Sequence, residues 1–148
     1  MFSLNCKGRL LVVDKPQVMG ILNITPDSFY SGSRVQTMDD VLRRAELQLE
    51  QGADILDIGG QSTRQGSDQL DAATELSRVI GPLEAISRRF PDAILSIDTY
   101  HAAVAREAVA AGASLVNDIS AGLLDPQMIS EVARLYVPYI LMHMKGNP

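Results

Sequence analysis

Polar side chains follow apolar runs at five places in this 148-residue chain. One run stops at Asn23, and Ile24, Thr25, Pro26, Asp27, Ser28 and Phe29 follow at once. The others end in Asp57 with Gly59-Gly60, in Asp98, in Asn117 with Asp118, and in Met142-His143. An Asp/Asn pair suits the donor and acceptor edges of a flat heterocycle, because a carboxylate accepts and an amide does both. An Asn oxygen together with phosphate oxygens makes a reasonable Mg²⁺ environment, since that ion takes few protein ligands. A hydroxyl, a carboxylate and an aromatic ring on a loop beyond a rigid strand are how α/β enzymes place chemistry. A buried amide or carboxylate left unmatched costs about 1–3 kcal/mol. Five such ends in one chain therefore point to a polar ligand that satisfies them.

Each residue also has a plain structural role open to it. Asp98 could cap a helix starting near His101, Asn117 and Asp118 could form a turn, and Thr63 and Arg64 could belong to a solvated loop. His101 reads as exposed or capping, and neither it nor His143 has a neighbouring Ser or Cys to suggest a triad. There is no P-loop and no GxGxxG. The net charge of −5 argues against binding nucleic acid or anionic membrane through bulk charge, and leaves room for a local anion pocket. A single cysteine, Cys6, excludes an internal disulfide and reads as a small apolar filler. No stretch approaches the ~20 apolar residues of a membrane span, and Leu10 to Val13 is too short for a signal-peptide core. A cytoplasmic location is the expectation. The triplet Asn23-Ile24-Thr25 is then an accidental glycosylation match.

The elements that must position these residues alternate. Ser3 to Asn5 and Arg9 to Val13 read as a hairpin turning at Lys7-Gly8. Strands follow at Val18 to Asn23, Ala53 to Ile58, Ala93 to Ile97, Ser114 to Val116 and Val137 to Met142. Between them lie helices at Met38 to Gln51, with Thr37 and Asp40 as a capping box, at Ala72 to Phe90, kinked at Gly81-Pro82, and at His101 to Ala111. A fourth helix is capped by Asp125-Pro126 and runs to about Tyr136. Almost continuously apolar strands linked by helices imply a parallel sheet covered on both faces. Residues 1–148 read as a single domain. Pattern alone leaves two architectures open, a five-stranded doubly wound sheet and the first five strands of a (β/α)₈ barrel.

The stretches MGILNITPDSF, GADILDIGGQSTR, LSIDTYHAAVAREAVAAGASLVNDIS and LMHMKGNP, in that order, closely resemble dihydropteroate synthase, the pterin-binding (β/α)₈ family of folate synthesis. The resemblance implies a TIM barrel of which this chain supplies the hairpin, about five strands and four helices. It implies a transferase joining 6-hydroxymethyl-7,8-dihydropterin pyrophosphate to p-aminobenzoate, with Mg²⁺. By position, Asn23 would bind Mg²⁺ and pyrophosphate, with Thr63 near the pyrophosphate and the pterin. Asp98 and Asn117 would hold the pterin edge and Met142 would pack on the ring. Arg64 and Phe29 would enclose p-aminobenzoate, with Pro26, Asp27 and Ser28 in the same loop.

Departures from the family pattern are Ser31 where the loop usually has a carboxylate, Gln61 for a common Glu, and Gln65 for a common Pro. The family's second pterin carboxylate, its late Lys, its Arg-x-His and its dimer helices have no counterpart up to Pro148. The expectation is that this chain alone is catalytically incomplete. A methyltetrahydrofolate methyltransferase-type barrel is the enzymatic alternative, and a non-catalytic pterin-binding or assembly module is the other.

Overall fold

A computed structural model describes residues 1–24, 37–61 and 70–143. The chain opens with an antiparallel hairpin of β1 (Phe2–Cys6) and β2 (Arg9–Val13), Phe2 lying opposite Val13 and Cys6 opposite Arg9. Lys7 and Gly8 both take positive φ, 53° and 88°, so the two-residue turn follows the twist of its strands. Asn5 Oδ1 accepts from the Gly8 N–H at 2.7 Å and holds it.

Among the described residues, five parallel strands then alternate with four helices: β3 (Met19–Asn23), α1 (Met38–Glu50), β4 (Ile55–Gly59), α2 (Ala72–Arg89), β5 (Ile94–Asp98), α3 (Ala102–Ala111), β6 (Leu115–Asp118), α4 (Met128–Leu135) and β7 (Tyr139–Leu141). The strands lie side by side in chain order, β3-β4-β5-β6-β7. A doubly wound sheet reverses its strand order at a switch point. This sheet has no reversal, so the architecture is the arc of a barrel, and the alternative left open by pattern falls.

Period two along each strand divides the side chains between two faces. Leu22, Leu56, Ile58, Leu95, Ile97 and Val116 point outward and are buried against Val41, Ala45, Val79, Leu83, Ile86, Val104 and Ala108 of the helices. Ile55, Ile94 and Leu115 point inward and meet Cys6, with Leu4, Leu11, Met19 and Ile140 packed around them. The hairpin therefore covers the inner face at the amino ends of the strands. Lys7 Nζ donates to the Val109 carbonyl at 2.8 Å, and Arg9 donates to the Pro91 and Ala93 carbonyls at 2.7 and 3.2 Å. Cys6 is 3% exposed and burial raises its thiol pKa, as a filler requires.

The capping box at Thr37 and Asp40 forms as the sequence predicts, and Asp71 caps α2 through the Thr74 N–H at 2.9 Å. Pro82 sits on the buried side of an unbroken α2. Two helix starts differ. Neither Asp98 nor the His101 side chain caps α3; Asp125 Oδ2 accepts from the Ala102 N–H at 2.7 Å, a partner 23 residues away that local pattern cannot reveal. Asp125 Oδ1 accepts from the Gln127 N–H, and this turn delays α4 to Met128. Gly112 ends α3 at φ 125°, where a Cβ would meet Ser87 Oγ at 2.5 Å. Strand pairing in β7 starts only after Pro138, which has no N–H to give the ladder. Among the described residues no helix is long and apolar enough to cross a membrane.

Candidate active site

The strand register lays the inner face out in rows. Asn23 pairs with Gly59, Gly59 with Asp98, and Asp98 with Asn117. Three residues singled out from sequence thus share one lateral row at the carboxyl ends of four strands. One step down lies the row Ile21, Asp57, Ser96 and Leu115, and below it Met19, Ile55 and Ile94. The inner face grades from an apolar base under the hairpin, through a mixed row, to a polar rim.

Gly59 is what lets the rim converge. A Cβ there would stand 3.4 Å from Asp98 Oδ2 and 3.5 Å from Asn23 Oδ1, filling the gap between the two. Asn117 is held from below, its Nδ2 donating to Asp57 Oδ2 at 2.9 Å. Asp57 is 5% exposed, and burial raises its carboxyl pKa while Ser96 and Asn117 hold the rise down. Asp98 is treated differently. Among the described residues no donor reaches its carboxyl, and its pKa is raised to about 7 by burial, then by the charges of Asp57, Glu75 and Asp118. A carboxyl poised near neutrality with its acceptor sites open is a place for a donor-rich ligand edge.

Asp118 belongs to the opposite face. It is fully buried and accepts from the Ser120 N–H, Ser120 Oγ, the Gly122 N–H and the Tyr139 hydroxyl, at 2.7, 2.8, 2.8 and 2.6 Å. That is the turn-former's role, and it ties β6 to β7. Burial and Asp118 together raise the Tyr139 phenol pKa. Met142 follows β7 at the same end of the sheet, 38% exposed, its N–H donating to the Asp118 carbonyl. His143 is exposed. His101 is neither exposed nor capping: its Nε2 meets the Leu70 carbonyl at 2.9 Å. Thr63, Arg64, Pro26, Asp27, Ser28 and Phe29, with Ser31 and Gln65, lie outside the described residues.

Sequence reasoning named Asp57 but not its place one row beneath the rim, and it missed Ser96 and Glu75. Counting back two residues from Gly59 and from Asp98 finds the first pair, since i and i−2 share a face. Glu75 carried no local signal, because a Glu in a first helical turn normally faces solvent.

Among the described residues no three His, Cys, Asp or Glu side chains group as metal ligands. The oxygen fit for a hard cation is Asn23, whose Oδ1 is shielded from solvent beside the Gly59 gap. One neutral oxygen donor suits an ion that draws most of its shell from water and substrate phosphates.

Residues 19–148 match the pterin binding enzyme family. The chain is 51% identical over 130 residues to the folic acid synthesis protein fol1 of Pneumocystis carinii, covering 88% of this chain and 17% of that protein. It is 42% identical over 146 residues to the dihydropteroate synthase of Haemophilus influenzae, covering 99% of this chain and 52% of that enzyme. A solved Xanthomonas albilineans dihydropteroate synthase with 4-aminobenzoic acid superposes with TM-score 0.88 at 44% identity, over 97% of this chain and 52% of that one. The same enzyme in complex with 7,8-dihydropteroate gives 0.83 at 41%. The chain spans about half the length of such synthases and a smaller share of the longer folate-synthesis proteins.

Proposed function

This chain belongs to the pterin-binding enzyme family, and on that premise we propose that it provides the pterin-holding face of a dihydropteroate synthase. The reaction joins 6-hydroxymethyl-7,8-dihydropterin pyrophosphate and p-aminobenzoate. The carbon–oxygen bond to pyrophosphate breaks, the aniline nitrogen forms a bond to the same carbon and gives up a proton, and pyrophosphate departs. The observation that carries the proposal is Asp98, half-buried, without a donor among the described residues and held near neutral, in one row with Asn23 and Asn117. A pterin edge of N–H donors and ring acceptors meets both needs of that row. Asp98 accepts, and Asn117, fixed by Asp57, presents its amide in one orientation.

Asp98 and Asn117 orient the heterocycle, and Met142 at the rim offers apolar surface to its face. Asn23 would hold Mg²⁺, which when bound neutralises charge on the leaving pyrophosphate. Thr63 serves the pyrophosphate, while Arg64, Phe29 and the loop of Pro26, Asp27 and Ser28 enclose p-aminobenzoate. Electrostatic stabilisation of the leaving group, rather than a general base, is the main demand on these residues. A single unit over residues 1–148, a homodimer of the whole enzyme and a cytoplasmic location complete the reading.

The test is titration of the 148-residue chain with pterin, alongside p-aminobenzoate-dependent release of pyrophosphate with and without Mg²⁺. Saturable pterin binding that Asp98→Asn abolishes supports the proposal, and pyrophosphate release extends it to catalysis. Absence of pterin binding by a folded chain refutes it.

A further inference from the structure

Glu75, in the first turn of α2, is fully buried, and its charge is one of those that raise the Asp98 pKa. Its Oε2 accepts from Thr99 Oγ1 at 3.0 Å and stands 4.0 Å from His101 Nε2. Among the described residues its Oε1 and Gln61 Nε2 fall short of a full hydrogen bond, yet the Gln61 amide faces the carboxyl closely enough to lower its pKa against the rise that burial causes. Even with these partners a buried carboxylate is costly, and a leucine would fill the space at less expense.

What Glu75 organises lies at the two ends of segment 62–69. On the outgoing side, Gly60 is pressed so close to α2 that a Cβ would stand 3.0 Å from Glu75 Cγ and 2.9 Å from Val79 Cγ1. Arg78 Nη1 donates to the Gly60 carbonyl at 3.0 Å, and the Tyr100 hydroxyl donates to Gln61 Oε1 at 3.2 Å. On the returning side, His101 Nε2 is 2.9 Å from the Leu70 carbonyl, and since a carbonyl only accepts, that nitrogen carries the proton. Thr99 Oγ1 in turn accepts from the His101 N–H at 3.1 Å. Thr99, Tyr100 and His101 directly follow Asp98.

We propose that Glu75, acting through Thr99, His101 and Gln61, is a positioning residue that clamps both ends of segment 62–69 to the strand end carrying Asp98. The clamp sets the positions of Gly60, Gln61 and Leu70, the described residues that flank the segment, relative to the pterin row. The proposal takes the roles of Thr63 and Arg64 from the function proposed above; the clamp itself does not depend on them.

The experiment is limited trypsin digestion of the folded chain, reading cleavage after Arg64 against cleavage after Arg34 and Arg106, with pterin affinity measured in parallel. His101→Ala and Glu75→Leu should speed cleavage after Arg64 about fivefold, the factor one lost hydrogen bond is worth in an opening equilibrium. Cleavage after Arg34 and Arg106 stays at the wild-type rate. Glu75→Gln, which keeps an acceptor for Thr99, restores most of the protection. Pterin affinity is unchanged within twofold in His101→Ala, because Asp98 and Asn117 remain. Unchanged cleavage after Arg64 in His101→Ala overturns the clamp, as does an acceleration equal at all three sites. If the wild-type chain binds no pterin, the functional reading fails, while the Arg64 comparison still decides the clamp.

Discussion

Replacing Asp98 by asparagine should make the folded chain more stable above neutral pH and destroy its affinity for pterin. The Asp98 carboxyl is raised from 3.8 to about 7 by burial and by Asp57, Glu75 and Asp118. A folded-state pKa above the unfolded value means the native state binds the extra proton. Stability from this group is therefore complete below about pH 4, drains away as pH rises, and is gone above about pH 7. At ~1.4 kcal/mol per unit, a rise of roughly three units sets a ceiling of about 4 kcal/mol. Neighbouring carboxyls that readjust together, and solvent at a partly open rim, reduce this to an expected value of about 1–3 kcal/mol. The asparagine of the Asp98→Asn variant has nearly the same shape and no charge, so it avoids the penalty at every pH. The assay is urea unfolding of both proteins at about pH 4.5, 6 and 8 with a shared m-value. The gap between variant and wild type should be near zero at the lowest pH, widen through the middle one and level off by the highest. A gap that is constant with pH, or a variant less stable than wild type in the alkaline sample, refutes the reasoning.

Three further outcomes follow from the same geometry. Pterin affinity should rise about tenfold per pH unit from about pH 5 to near 7 and then flatten, because the donor edge needs the ionised Asp98; calorimetry in two buffers should show proton release on binding. Gly59→Ala puts a methyl between Asp98 Oδ2 and Asn23 Oδ1 at ordinary contact distance, so stability should change by less than about 1 kcal/mol while pterin affinity falls at least about tenfold. Thr37→Ala removes one arm of the capping box of α1 and should cost about 1 kcal/mol in urea unfolding, with pterin affinity untouched.

What the sequence revealed divides by range. The hairpin turn at Lys7-Gly8, the capping box at Thr37 and the stop at Gly112 are local, and each is where the residues predict it. The row of Asn23, Asp98 and Asn117 was legible because each ends an apolar run, and a parallel sheet in sequential order brings such ends together. Sequential order itself was not legible from pattern, since helix and strand alternate identically in both architectures weighed. Asp125 capping α3, and Glu75 turned inward to Thr99, depend on partners 23 and 24 residues away. No periodicity carries such information. His101 shows the same limit, as its ring looks like a cap in sequence and binds Leu70 in space.

The carboxylates of this sheet separate structure from function by how they are satisfied. Asp118 has four donors and ties β6 to β7. Asp57 has Asn117 and fixes its amide. Asp98, two residues above Ser96 and next to Asn117 in the row, has no donor among the described residues, although the chain plainly can supply them to its neighbours. A carboxylate kept short of donors destabilises the empty fold, and such a cost persists where a ligand removes it. The donor edge that completes Asp98 would lower its pKa toward the ordinary carboxylate range and return the lost stability as binding energy. Ligand-induced stabilisation should therefore be larger at about pH 8 than at about pH 5 in the wild type, and nearly absent at both in Asp98→Asn. Equal stabilisation at the two pH values would mean that the ligand's donors go elsewhere, and Asp98 would be left as a structural charge like Asp118.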